Sequence, residues 1–162
     1  MNVENDLADA IQLRSNGQAE EARHRLLALI ATYPDEARVH FQAAWTHDVL
    51  GLEREAVPFY ERALDLGLHG EDLAGALLGL GSTYRTLGEY QRSIACLRRG
   101  VEECPDKWAM EVFLAMALYN VGDHREAIER LLRTIADTSE DVSIRGYNRA
   151  ITFYADKLDE TW

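Results

Sequence analysis

An all-α array of stacked helical hairpins is the fold class that this 162-residue sequence predicts, and three observations predict it. Glycine returns at Gly17, Gly51, Gly88 and Gly122, at intervals of 34, 37 and 34 residues, and self-similarity at such a period marks one supersecondary unit repeated along the chain. Apolar residues on both sides of these glycines recur at helical spacing. No stretch shows the strict alternation of a half-buried strand.

The chain therefore reads as one domain, residues 1–162, with units at about 3–36, 37–70, 74–107 and 108–141 and a capping helix at about 142–158. Each unit is two helices joined at its glycine, where the first helix ends in a left-handed residue. In the first unit the turn is Gly17, and Pro34-Asp35 closes it, since proline cannot continue a helix and aspartate is suited to starting the next. The second turns at Gly51 and ends in Leu66-Gly67-Leu68-His69-Gly70-Glu71-Asp72, three residues longer than the beat and without its proline. That insertion is expected to bend or loosen the array between its halves.

In the third unit Leu77, Leu80 and Tyr84 form one apolar stripe and Ile94, Leu97 and Val101 another, so two amphipathic helices meet across Gly88. Pro105-Asp106 ends this unit as Pro34-Asp35 ends the first. After Gly122, Asp123 is placed to cap the next helix, with Glu126 completing a capping box. Ile144, Tyr147, Ile151, Tyr154 and Leu158 then follow at helical spacing, as expected of a helix covering the apolar end of a solenoid. Trp162 either folds back on that helix or lies at a frayed end.

Leu80-Gly81, Tyr84, Gly88-Glu89-Tyr90, Ser93, Leu97 and Pro105 together resemble the tetratricopeptide repeat. In the fourth unit Leu114-Ala115, Gly122-Asp123, Ala127 and Leu131 stand at the matching places. Ala44, Gly51, Ala56, Tyr60 and Ala63 do so in the second, and Ala10, Gly17, Ala22, Leu26 and Pro34 in the first. The resemblance spans about residues 3–141 and implies a right-handed superhelix of four hairpins. The family's signature tryptophan is missing throughout, with Asp6, His40, Leu77 and Glu111 in its place.

Composition excludes several classes of function. Hydrophobic residues make up 47% and charged residues 28%, which suits a folded chain rather than a disordered one. Seventeen Lys and Arg against 28 Asp and Glu leave a net charge of −11, which disfavours nucleic acid and anionic membrane surfaces as partners. The acidic N-terminus lacks a secretory pattern and no window is apolar enough to span a bilayer, so a cytoplasmic location is expected. Cys96 and Cys104, without further Cys or His at metal-binding spacing, read as reduced packing residues.

No catalytic constellation stands out, and no cofactor or metal is expected. Gly75, Gly79 and Gly81 lie in a leucine-rich helical stretch and lack the Lys and hydroxyl of a phosphate loop. Close helix packing accounts for Gly81, whereas Gly75 and Gly79 have no role in this reading. His40 and His47 share a helix face, but no third ligand completes a metal set, and both read as packing residues. Acid pairs such as Glu20-Glu21 and Glu102-Glu103 read as solvated surface.

What the tetratricopeptide resemblance implies is a non-catalytic module that holds a peptide or protein segment in the groove lined by the first helix of each hairpin. Helical spacing puts Leu7, Ile11 and Arg14, then Arg38, Phe41, Trp45 and Asp48, on that face. Leu78, Ser82 and Arg85 follow from the third unit, and Val112, Met116, Tyr119 and Asn120 from the fourth. The expected peptide-binding residues are Arg14, Arg38, Phe41, Trp45, Leu78, Arg85, Val112, Met116, Tyr119 and Asn120, with Phe41, Trp45, Met116 and Tyr119 as anchors and the three arginines pairing with acidic groups. Phe41 and Trp45 either face the groove or pack between hairpins. Leu7 and Ile11 disfavour capture of a C-terminal carboxylate, for which lysine and asparagine are required. Self-assembly into a homodimer or larger homo-oligomer is the alternative, and a small-molecule-binding regulator is a further one.

Overall fold

The computed structural model describes residues 2–162 and is helical throughout, with no strand among the described residues. Four hairpins follow one another: α1 (Val3–Ser15) with α2 (Ala19–Thr32), α3 (Ala37–Val49) with α4 (Glu53–Asp65), α5 (Gly70–Thr86) with α6 (Tyr90–Glu103), and α7 (Ala109–Asn120) with α8 (His124–Thr138). Every hairpin turns on its periodic glycine in the left-handed region, as at Gly88 with φ +78°. There the backbone N–H groups of Gly88 and Glu89 return to the carbonyls of Arg85 and Tyr84, which closes the end of α5. Asp123 caps α8 by accepting from the Glu126 N–H at 3.4 Å.

Packing is between neighbours along the chain, and the apolar core forms three successive clusters rather than one. Alanines mark the closest approaches: Ala10, Ala22, Ala44, Ala56 and Ala63 are fully buried. Successive first helices also touch each other, α1 with α3, α3 with α5 and α5 with α7. This curves the array so that the first helices form its concave side.

Three details differ from the sequence reading. Asp35 and Asp106 do not cap the helices after them; Asp35 pairs with Arg62 at 2.7 Å, and α3 begins after Glu36 with no side-chain cap. Leucine, not looseness, governs the long second interval. Leu68 is buried in the second cluster, and the extra residues are taken up by an early start of α5 at Gly70, four residues before the expected unit boundary.

The third difference is the cap, which is two short helices, α9 (Val142–Gly146) and α10 (Asn148–Tyr154), instead of one helix to about residue 158. The break falls at Tyr147, with φ −108° and ψ 7°, directly after Gly146, whose backbone is costly to hold in a helix. Asn148 there donates its side-chain amide to the Ala136 carbonyl of α8. Ala155 is buried, but Tyr147 is 70% exposed and Tyr154 and Leu158 about half. Trp162 folds back onto Phe153 and Tyr154, with ring centroids at 6.2 and 5.6 Å. No helix of the described residues is long and apolar enough to cross a membrane.

Candidate functional groove

Two pockets open along the first helices. The first, about 490 Å³, lies between α3, α5 and α7 and is walled by Phe41, Trp45, Asp48, Val49, Leu78, Ser82 and Phe113, with Tyr60 reaching in from α4. Gly75 and Gly79 form its floor on α5. A β-carbon at Gly75 would stand 2.7 Å from Phe41 Cζ, and one at Gly79 would overlap the Tyr60 ring. Their bare backbone is therefore what admits two aromatic rings against α5, and it is their structural role.

Phe41 is 4% exposed and lies in the core between Trp45 and Tyr60, with ring centroids 6.0 and 6.3 Å away. It supports the groove from below rather than presenting an anchor. Trp45, one helical turn further on, keeps 47% of its surface open. Arg14 holds it from the side of α1, the guanidinium carbon 4.1 Å from the ring centroid.

Arg14 is itself buried. It donates to the Gln42 carbonyl at 3.2 Å, to Gln42 Oε1 at 2.7 Å and to Thr46 Oγ1 at 3.1 Å. Burial also lowers its pKa from the ordinary arginine value. It is a strut between the first two hairpins, not a free cation for a partner. Arg38 is likewise engaged: it pairs with Glu4 at 2.7 Å and with Asp72 at 3.1 Å. Both acids stand 34 positions away, and the two pairs form a ladder across α1, α3 and α5.

The second pocket, about 370 Å³, is bounded by Arg85, Met116, Tyr119, Asn120 and the α8 residues Ala127, Ile128 and Leu131. Tyr119 is 63% exposed and lies tilted against His124, with ring centroids 4.7 Å apart. Arg85 has no carboxylate partner among the described residues; it approaches Asn120 Oδ1 at 3.5 Å, and its Nε is buried without an acceptor. Val112 is partly buried and lines neither pocket.

Side chains outside the expected binding set complete the first pocket: Asp48, Val49, Tyr60, Ser82 and Phe113. The Asp48 carboxylate accepts from the Tyr60 hydroxyl at 2.8 Å and lies 2.9 Å from Thr83 Oγ1, whose single proton it shares with the Gly79 carbonyl at 2.8 Å. Burial raises its pKa above the usual carboxylate range, and the two hydroxyl bonds only partly oppose this. Burial, with Asp48 alongside, also pushes the Tyr60 hydroxyl well above the ordinary tyrosine value. The signal available in the sequence was the glycine pair four apart on α5, facing the aromatic stripe of α3.

Elsewhere the histidines serve packing. His40 donates through Nε2 to the Pro34 carbonyl at 2.8 Å, His47 through Nδ1 to the Ala43 carbonyl at 2.7 Å, and both rings lie against Phe59. Burial pushes the Cys96 thiol up to about 11, which keeps it protonated and unreactive at neutral pH. Among the described residues no group of three or more His, Cys, Asp or Glu is placed to hold a metal ion.

A curved stack of helical hairpins with an aromatic concave face defines a helical-repeat protein. The tetratricopeptide repeat profile matches residues 37–158, three quarters of the chain, and the protein belongs to that family. The match begins at α3, so the first hairpin lies outside it. Among solved structures, YrrB, described as a TPR protein with an unusual peptide-binding site, superposes with a TM-score of 0.75 at 21% identity, over 98% of this chain and 79% of its own. MamA from Desulfovibrio magneticus RS-1 gives 0.76 at 15% identity, over 97% and 87%. The Cut9–Hcn1 assembly of the APC/C gives 0.76 at 16% identity, over 95% of this chain but only 30% of the matched one. At these identities the likeness is one of fold. No curated protein matches the chain in sequence.

Proposed function

We propose that the protein is a non-catalytic binding module that holds a peptide or protein segment along the concave face, with Trp45 in the first pocket and Met116 and Tyr119 in the second as its apolar contacts. The observation that carries this reading is Trp45: a large aromatic, half open to solvent, held in place from behind by Arg14 and Phe41. A preformed aromatic lowers the ordering cost of association, and tryptophan and tyrosine commonly dominate binding energies. Leu78 and Asn120 complete the walls, and Arg85 is the inward arginine left for an acidic group.

Affinity capture from native cell extract tests this, with wild type compared to Trp45→Glu/Tyr119→Glu once circular dichroism shows equal helicity. A protein retained by wild type alone supports the groove; equal capture by both overturns it.

Self-assembly is a second reading, favoured by the exposed aromatic group of Phe153, Tyr154 and Trp162 at the C-terminal end. Contiguous apolar surface of this kind is a common mark of association. A solution mass of twice the monomer's 18.3 kDa, reverting on Phe153→Ser/Trp162→Ser, supports it, and a monomer at high concentration overturns it.

A further inference from the structure

The wall of the first pocket is apolar and aromatic apart from the hydroxyls of Ser82 and Tyr60 and a single carboxylate. Asp48 stands among Trp45, Leu78, Ser82 and Phe113, partly buried, at the last turn of α3. Its oxygens receive two neutral hydroxyl donors, Tyr60 and Thr83, and no Lys, Arg or His pairs with it among the described residues. The titratable groups beside it are Glu53, an acid like itself, and His47, whose Nδ1 is committed to the Ala43 carbonyl. The nearby cation on the concave side, Arg14, directs its donors to Gln42 and Thr46.

A carboxylate taken out of water without a counter-charge is costly, and a cation delivered to it recovers part of that cost. The surrounding rings favour the same visitor, since aromatic faces attract ammonium and guanidinium groups. A long basic side chain also suits the shape: its methylenes lie against Leu78 and Phe113 while the charged head reaches the acid. The chain's net charge of −11 draws such a partner from a distance.

We propose that the pocket between α3, α5 and α7 receives a lysine or arginine side chain of the bound segment, with its cationic head on the Asp48 carboxylate and its stem against Trp45, Leu78 and Phe113. This rests on the reading that the concave face binds a peptide, and it names the residue class that the peptide must carry. Ser82, in the same wall, offers its hydroxyl oxygen as a second acceptor for the head group.

A displayed library of random dodecapeptides, selected on the intact protein, tests it. The expected result is a set of peptides with Lys or Arg at one fixed position. Replacing that residue by norleucine weakens binding to wild type by about tenfold or more, and by less than about twofold on Asp48→Asn. The norleucine exchange alters the peptide alone, so it stands even if Asp48→Asn folds poorly. Peptides whose binding is lost on Trp45→Glu but which show no basic preference, or lose as much on Asp48→Asn as on wild type, overturn the Asp48 assignment and leave the groove reading intact. Peptides that bind Trp45→Glu unchanged overturn the groove reading, and the assignment falls with it.

Discussion

The guanidinium of Arg14 lies over the indole of Trp45, 4.1 Å from the ring centroid, while its nitrogens bond Gln42 and Thr46 one hairpin away. One side chain thus joins α1 to α3 and fixes the open ring of the first pocket. Arg14→Ala leaves the buried Gln42 Oε1 without its donor, while the Gln42 carbonyl keeps the Thr46 hydroxyl, and it removes the packing of the stem. Urea unfolding is expected to show a loss of about 2 to 3 kcal/mol. With Trp108 and Trp162 replaced by Phe, the remaining Trp45 emission is expected to shift to the red.

Asp48 makes stability depend on pH in an unusual direction. Its folded pKa is raised by burial, so between the ordinary carboxylate value and the raised one the folded state binds more protons than the unfolded state. The stabilisation is therefore present in acid and is lost as pH rises through the raised value. Asp48→Asn keeps an acceptor for Tyr60 and carries no charge. The variant's melting temperature relative to wild type is expected to be higher at pH 7 than at pH 4; a constant difference between the two pH values contradicts this.

The glycine floor has a matched control. Gly79→Ala drives a methyl into the Tyr60 ring, whereas a β-carbon at Gly146 meets nothing within 4 Å. The first substitution is expected to cost about 1 to 3 kcal/mol and the second to be neutral or mildly stabilising, by about 0.5 kcal/mol. Thermal melts of both variants decide it.

Arg38 separates the ion ladder from the binding face. Its side chain is 43% exposed and paired on both sides, and pairs of this kind contribute about 0.5 kcal/mol each. Arg38→Ala is expected to lower stability slightly and to leave capture of any groove partner unchanged, whereas Trp45→Glu abolishes it. Equal losses for the two variants return Arg38 to the binding surface.

What the sequence made legible is what the period controls. The four left-handed glycines and the alanines at helix crossings recur in register with the repeat, and the Asp123 cap of α8 directly follows the last of those glycines. Side-chain partners that cross between repeats were less legible. Arg14, Arg38 and Phe41 do point toward the concave side, yet hydrogen bonds, ion pairs and core packing engage them internally, and helical spacing alone gives direction without partners. The break at Tyr147 was hidden for a similar reason. Apolar spacing continued through it, while the propensity of Gly146 and the bond from Asn148 to α8 interrupted the helix.

The end of the array is held differently from its middle. The α9–α10 segment rests mainly on α8, through the buried Ala155, the Asn148 amide, and Arg125 donating to the Asp156 carbonyl at 2.7 Å. Each inner hairpin has a neighbour on both sides, but this segment has one, so releasing it breaks a single interface and leaves the others untouched. Amide hydrogens along the chain are therefore graded in their exchange with solvent: fastest beyond residue 142, slowest in α3 to α6, where opening requires two interfaces to part at once.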